Sequence, residues 1–395
     1  MNTIKPSTEF KLLQALFGVY AALVMSWIPR FPEVKANLGL SNGQFGTLIS
    51  TASFGAVASL FLTGHMVYEF GIKRVILTNI WILGFAYFFI VRTESSGIFL
   101  ICNVAIGWGV SAYHISINAQ SFNAMERIYG LTITRLHGMW ALGTLTTAII
   151  SGLVANHIPI TWHIGGLAVF VTLSLTAMII YLTPVLMKPN EDEHEHFPFR
   201  SLITSFRVDW LISGGLICAV ILEYSTGDWS AIFARERIGV GSNLAALPYV
   251  LFMITMIIGR LNARKLAKRF QVDQAIRIFA LIGGVGFLTF LTIAVQIPVE
   301  NKALAFTATC LAFTFAGVGT SLMAPTFYTA GNQRSPLPSA VVVGHMGVIN
   351  MIAVFIVKAT IAWTAQITGS LAIALSIPAL MLISTVFFAH VVKPN

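Results

Sequence analysis

The chain has 395 residues, of which 56% are hydrophobic and only 10% are charged, and its mean hydropathy is +0.81. A soluble protein of this length needs a charged exterior, so the composition excludes a soluble enzyme and indicates an all-α membrane protein. The formal net charge of +9 does not indicate nucleic acid, because in a membrane protein it is the placement of Lys and Arg that carries the information.

Twelve apolar runs of about 20 residues are each long enough to cross a bilayer as a helix. Of the 24 Lys and Arg residues, 17 fall in the loops of one predicted side and seven in those of the other, which predicts that both termini are cytoplasmic. The predicted spans are 12–29, 44–66, 75–91, 98–119, 137–157, 163–186, 209–229, 243–260, 276–297, 303–326, 339–361 and 369–391.

Span four carries a polar stripe. At 100° per residue its members fall within 80° of one another. Lipid would not tolerate such a stripe, so it faces the bundle interior, either lining a water-filled cavity or packing against a helix. His114 is its most informative member, because an imidazole can donate, accept and titrate near neutral pH. The stripe contains Asn103, Gly107, Ser111, His114 and Asn118, and a second, less polar face carries Gly109, Tyr113, Ser116 and Gln120.

Charged residues surround the start of span five. Arg135 and His137 flank it, close to Glu126 and Arg127. A salt bridge of a cytoplasmic gate and a simple positive-inside anchor are both consistent with this position.

The longest polar segment, KPNEDEHEHFPFRSLITSFRV at 188–208, follows span six. It predicts a cytoplasmic linker between an N-terminal six-helix bundle at 1–187 and a C-terminal one at 209–395. Its EDEHEH run could bind a metal or sense pH, but a charge run of this kind is more typical of a solvated connection. With Cys102, Cys218 and Cys310 in separate spans, we expect no metal, no disulfide and no cofactor.

Span seven contains the stretch ILEYSTGDW. Glu223 lies inside the span, where a carboxyl group is costly and usually marks an ion or substrate pathway. Tyr224 is a candidate for stacking on a ring-shaped solute. Asp228 lies near the end of the span, where helix-end polarity or a pairing with Arg235 is the simpler interpretation.

Span eleven holds three further candidates. His345 and Asn350 lie deep in the span and are candidates for lining a cavity. Lys358 lies within a turn of the outer end, where its ammonium group could instead extend to the interface.

The two halves repeat local patterns. Gly64 followed by Lys73-Arg74 recurs as Gly259 followed by Lys268-Arg269, at an offset of 195 residues. LGLSNG at 38–43 is echoed by IGVGSN at 238–243, and the Gly-x-Gly at 107–109 by that at 317–319. Such internal repeats indicate a duplicated transporter fold.

The loop after span two, GHMVYEFGIKR, resembles that of the major facilitator superfamily. Gly64, Gly71, Lys73 and Arg74 match the pattern of the family, which implies a gating loop here. Tyr68 and Glu69 stand where the family usually has Asp and a basic residue, and Asn103 replaces an Arg that is linked to proton coupling in antiporters. Three stretches, at 26–46, 117–143 and 221–233, resemble the YbjJ-type branch, a distant relative of the fucose permease.

The resemblance implies two pseudo-symmetric six-helix bundles and a bacterial inner-membrane transporter, expected to be monomeric. We predict alternating-access transport of a small polar organic solute, a sugar or organic acid, coupled to protons through Glu223. Two alternatives stay open, efflux of amphipathic compounds or metabolites and a non-transporting receptor on the same fold. The short loops disfavour the receptor, and the absence of a catalytic motif disfavours an enzyme.

Overall fold

The computed structural model describes residues 4–125, 127–189, 206–335 and 339–393. These residues form helices and no strand, which confirms the predicted all-α class. Most of the predicted linker at 188–208, including its EDEHEH run, lies outside the described residues.

Fifteen α-helices cover the described residues. The stretch Phe233–Ile238 continues the helix Trp210–Ile232 as a π-helix. In chain order the helices are α1 (Pro6–Ser26), α2 (Phe31–Leu38), α3 (Asn42–Ser50), α4 (Ala52–Ile90), α5 (Ser96–Met125), α6 (Ile133–Val154), α7 (Ile160–Leu182), α8 (Trp210–Ile232), α9 (Ser242–Ala245), α10 (Leu247–Ala267), α11 (Val272–Gln296), α12 (Lys302–Thr320), α13 (Met323–Arg334), α14 (Ser339–Thr368) and α15 (Leu371–Phe388).

Eleven helical stretches within the described residues are long and apolar enough to cross a membrane. One of them, Asn42–Ile90, has 49 residues. A straight helix of that length would measure about 73 Å, more than twice the hydrocarbon core of a bilayer. Gly71 interrupts it with φ 76° and ψ 158°, so the stretch contains the two predicted spans 44–66 and 75–91. The count therefore agrees with the twelve predicted spans.

The repeated sequence patterns occupy equivalent places. Gly39 ends α2 and Gly239 ends the π-helix after α8, and both have a left-handed backbone that favours glycine. In the Gly-x-Gly pairs, a Cβ at Gly107 would collide with the carbonyl of Ala52, and one at Gly317 would collide with Thr255. Both pairs therefore provide close helix contacts.

The chain divides into two compact units, which differ from the two sequence halves. Unit 1 comprises Met1–Trp27, Thr51–Thr147 and Ile158–Phe206. Unit 2 comprises Ile28–Ser50, Ala148–His157 and Arg207–Asn395. Two segments of the predicted N-terminal bundle, 28–50 and 148–157, thus pack with the second half of the sequence.

Candidate functional site

Unit 1 contains a cluster of rings contributed by α1, α5 and α6. The Tyr20 ring stacks on Tyr113 with centroids 3.9 Å apart. His114 makes edge contacts with Tyr20 at 5.4 Å and with Trp140 at 4.6 Å, and its ring lies 6.5 Å from that of His137. Packing among these five rings fixes the position of the His114 imidazole, which is the most informative member of the predicted stripe.

Three buried polar atoms of this region have no hydrogen-bond partner among the residues that the structure describes. They are His114 Nε2 and Asn118 Oδ1 on α5 and Thr144 Oγ1 on α6. Asn118 lies one turn beyond His114, and Thr144 lies one turn beyond Trp140, so each polar atom shares a helix face with a ring of the cluster. Buried polar groups in folded proteins are nearly always paired, which makes this group a candidate site for the polar atoms of a ligand.

The other end of the predicted stripe has a different environment. The amide of Asn103 donates to Thr51 Oγ1 at 3.1 Å, and both residues are buried. Gly107 lies against the backbone of Ala52. These two positions pack α5 against the start of α4, while Ser111, between them and His114, is half-buried.

Gln120 also has a structural environment. Its amide donates to the Val185 carbonyl at 3.0 Å and accepts from the Met187 backbone N–H at 3.0 Å. The side chain thereby ties α5 to the chain segment that follows α7, and both of its polar ends are occupied.

Unit 2 contains an ion pair within its helices. Glu223 on α8 lies 3.3 Å from Arg260 on α10, and the two side chains are 29% and 40% exposed. The Arg260 guanidinium also donates to the Ser321 carbonyl at 3.3 Å. The predicted span 243–260 ended at Arg260, which was counted with the cytoplasmic charges, but α10 continues to Ala267, so this residue lies within the helix.

Tyr224 faces the same region of unit 2. Its hydroxyl lies beside the side chain of Asn350, and Tyr328 and Glu223 are close by. The ring keeps 36% of its surface exposed, whereas Asn350 and His345 on α14 are buried. Of these candidates from α8 and α14, Glu223, Tyr224 and Asn350 therefore share one neighbourhood.

A second ion pair of unit 2 is almost completely buried. Lys358 Nζ lies 2.8 Å from Asp228 Oδ2, and the two side chains are 12% and 11% exposed. This pair joins α8 to α14. The predicted pairing of Asp228 with Arg235 is wrong, and the ammonium group of Lys358 contacts Asp228 instead. Arg235 instead contacts the hydroxyl of Ser242.

The predicted gating loop is a turn within the long stretch 42–90. Gly71 supplies the left-handed turn, and the Ile72 N–H donates to the Met187 carbonyl at 3.3 Å. Gly64 and Arg74 are exposed, and Lys73 is half-buried. The loop is thus anchored to the chain segment after α7, while its role as a gate stays a prediction.

The predicted gate pairing around Arg135 involves other partners. Arg135 Nη1 donates to the Gly130 carbonyl at 3.0 Å, within its own loop. Arg127 instead contacts the buried Glu9 carboxylate, with both nitrogen–oxygen distances at 3.1 Å. Glu126 lies outside the described residues. Among the described residues, no group of His, Cys, Asp and Glu could hold a metal ion.

Comparisons with known proteins identify what the chain is similar to. A family model described as the Major Facilitator Superfamily matches residues 12–358. An uncharacterised MFS-type transporter of Yersinia pestis is 24% identical over 394 residues, which cover 99% of this chain and 98% of the relative. The multidrug resistance protein MdtG of Salmonella choleraesuis is 26% identical over 268 residues, which cover 64% of this chain and 63% of that protein.

Solved structures of transporters share the fold. A variant of the nucleoside transporter NupG matches with a TM-score of 0.75 at 11% identity, covering 97% of this chain and 99% of that one. The fucose:proton symporter FucP of E. coli matches with a TM-score of 0.61 at 16% identity, covering 99% and 100%. At these identities the likeness establishes the fold alone.

Proposed function

The chain belongs to the Major Facilitator Superfamily and is a multi-pass membrane transporter, and on that premise we propose that it takes up a small polar solute with protons. Transport is a secondary active process by alternating access. The solute is sugar-like or an organic acid. The protein resides in a bacterial inner membrane with both termini in the cytoplasm, as the bacterial relatives and the loop charges favour.

The observation that supports a polar solute most directly is the unpaired polar group of unit 1. Leaving a buried donor or acceptor without a partner costs about 1–3 kcal/mol, and a bound solute would remove that cost. His114 Nε2 and Asn118 Oδ1 can bond hydroxyl groups, while the rings of Tyr20 and Trp140 provide flat apolar contact. A compact ring that carries several hydroxyl groups combines both properties.

Proton coupling is assigned to Glu223. An ionised carboxylate attracts Arg260 at 3.3 Å, and a protonated one releases it, so proton uptake would change a contact between α8 and α10. Because the pair lies within membrane-spanning helices and keeps some exposure, protons can reach it. Tyr224 next to it links this position to Asn350 on α14.

The test is uptake by purified protein in proteoliposomes. Labelled L-fucose, D-xylose and succinate serve as probes of the two solute classes, with and without an imposed pH gradient. Accumulation of one probe that depends on the gradient, and that is reduced in His114→Ala, is the expected result. Gradient-dependent uptake that is unchanged in Glu223→Gln would remove Glu223 from the coupling role, and absence of uptake for every probe would contradict the proposed solute class.

Efflux is the second candidate function, and the similarity to MdtG over 64% of the chain favours it. It predicts that deletion of the gene raises sensitivity to amphipathic compounds and that inside-out vesicles accumulate them. A non-transporting receptor on the same fold would show neither uptake of the solute nor efflux of amphipathic compounds. Uptake into right-side-out vesicles together with unchanged drug sensitivity would support the uptake proposal over both.

A further inference from the structure

The segment Ile28–Ser50 belongs to the first half of the sequence but packs within unit 2. Helix α3 lies along α14, and α2 together with the short turn Ile28–Arg30 contacts α8. A transporter of this superfamily has to separate and rejoin such segments during its cycle, because each end of the transport path closes in turn. The contacts of this segment therefore describe one closed end.

Gly46 makes the tightest of these contacts. A Cβ placed on it would lie 2.8 Å from the Trp229 ring and would collide with the Cβ of Ala362. The backbone of α3 thus rests directly on these two side chains, which we call the seat. Any residue larger than glycine at position 46 would have to lift α3 away from the seat.

Polar contacts surround the seat. The Trp363 indole donates to Thr47 Oγ1 at 3.1 Å, and the Gly43 N–H donates to Gln366 Oε1 at 3.5 Å. At the other end of the segment, Lys35 Nζ lies 2.7 and 2.9 Å from the two carboxylate oxygens of Glu236. We call these three polar contacts, Trp363–Thr47, Gly43–Gln366 and Lys35–Glu236, together with the packing of Gly46 on the seat, the 28–50 closure. Few and partly exposed polar bonds of this kind can break and re-form.

The buried ion pair lies directly beside the seat. Asp228 precedes Trp229 in α8, and Lys358 lies one turn before Ala362 in α14. The 2.8 Å contact between Asp228 and Lys358 holds together the two helices that carry the two halves of the seat. Moving the two helices apart would leave both charges without a partner in a poorly hydrated place, which opposes a change in the helix spacing.

We propose that Asp228 and Lys358 are positioning residues for transport. Their contact holds α8 and α14 at the spacing that allows Gly46 to pack on the seat and the 28–50 closure to form. The proposal rests on the proposed transport function. On the predicted topology the closure seals the outer end of the transport path. Breaking the pair widens the seat, weakens the closure and shifts the protein toward the state that is open at this end.

Accessibility of the closure tests the proposal without knowledge of the solute. Thr47→Cys, in a background where Cys102, Cys218 and Cys310 are replaced by Ser, is labelled in intact cells with a membrane-impermeant maleimide. Gly46→Ala and Asp228→Asn are each expected to raise the labelling rate about fivefold or more. Lys358→Arg, which keeps the charge, is expected to leave the rate near that of the parent.

Two matched controls separate opening from general loosening. Gly166→Ala adds a methyl group where no atom lies within 4 Å, so labelling stays unchanged. Asp209→Asn breaks the exposed ion pair with Arg334 at the start of α8, away from the seat, and it too is expected to leave the rate unchanged. Thermal unfolding of each purified variant shows which of them are folded.

A cross-linking experiment tests whether transport requires the closure to open. Lys35→Cys/Glu236→Cys is bridged by a short bis-methanethiosulfonate, which is expected to stop uptake of the transported probe until the link is reduced. Arg237→Cys/Val295→Cys joins two positions within the second half and is expected to leave uptake unchanged.

Each outcome decides a separate point. Unchanged labelling in Asp228→Asn alongside faster labelling in Gly46→Ala would overturn the role of the ion pair. Unchanged labelling in both variants, or full uptake by the cross-linked protein, would overturn the closure. Faster labelling in both variants with no uptake of any probe would support the closure and contradict the proposed solute class instead.

Discussion

The groups that carry the two candidate roles differ in charge between the two units. In unit 1 the candidate site holds neutral groups, His114, Asn118 and Thr144, whose buried polar atoms have no partner among the described residues. In unit 2 the charged candidates are paired, Glu223 with Arg260 and Asp228 with Lys358, while the neutral Asn350 keeps a buried Oδ1 that has no partner among the described residues. An unpaired neutral group gains from a ligand, whereas a paired charge resists any change of its partner.

This difference in charge suits the two sets of groups to different roles in transport. Neutral donors and acceptors can bind an uncharged solute and release it without a large electrostatic cost. Ion pairs within helices instead respond to protonation or to a helix displacement, because losing one partner leaves a charge in a poorly hydrated place. Unit 1 is therefore the stronger candidate for recognising the solute and unit 2 for coupling and conformational control.

The largest effect is expected for Lys358→Ala. It leaves Asp228 without its partner inside the bundle, which is expected to lower the free energy of unfolding by about 3–5 kcal/mol. Asp228→Asn/Lys358→Met removes both charges and is expected to recover most of that loss. Thermal and denaturant unfolding in detergent measure both variants, and a loss below about 1 kcal/mol would mean that the pair behaves like an exposed one.

Glu223→Gln is expected to act on coupling more than on stability. Its neutral side chain cannot release Arg260 by taking up a proton, so gradient-driven accumulation in proteoliposomes is lost while solute exchange continues. Asp209→Asn is the matched control, because Asp209 pairs with Arg334 at 3.1 Å at an exposed helix start. Equal loss of coupling in both variants would contradict the assignment of proton coupling to Glu223.

His114→Leu is expected to separate binding from stability. The substitution removes an unpaired buried nitrogen, so the unfolding free energy stays the same or rises slightly. If the imidazole donates to a solute hydroxyl, the KM of the transported probe rises about two- to tenfold, the range that one hydrogen bond supplies. A marked loss of stability with unchanged KM would show that His114 only packs among its rings.

The smallest effect is expected for Asn103→Ala. It deletes a bond to Thr51 within unit 1, and interhelical bonds of this kind contribute about 0.6 kcal/mol on average in membrane proteins. The KM of the probe is expected to stay unchanged. A change in KM without a change in unfolding would place this end of the stripe in the solute site and weaken the contrast drawn between the two ends of the stripe.

Span four shows how far periodicity could predict the site. The pattern placed Asn103, Gly107, His114 and Asn118 on one face, but it could not say what each part of that face meets. One end packs against the start of α4, and the other meets the rings of α1 and α6. A helix of 30 residues crosses several neighbours, so one stripe can be packing at one end and a site at the other.

In unit 2 the sequence did not predict the contact between Glu223 and Arg260. Glu223 was predicted from its cost in lipid, yet the predicted span 243–260 ended at Arg260, which was counted only as a cytoplasmic charge. The helix extends seven residues further, to Ala267. A carboxylate inside one predicted span together with an arginine at the edge of the next was the signal that could have joined them.

The sequence by itself determined the fold class, the number of spans and the duplicated organisation. The length of an apolar run, the charge of a loop and a repeated glycine pattern are all properties of consecutive residues, so the sequence shows them directly. Only the tertiary structure decided which polar groups are paired and that Ile28–Ser50 packs against α8 and α14. Those contacts join residues from 37 to 323 positions apart, and their geometry follows from how helices pack, which no single helix encodes.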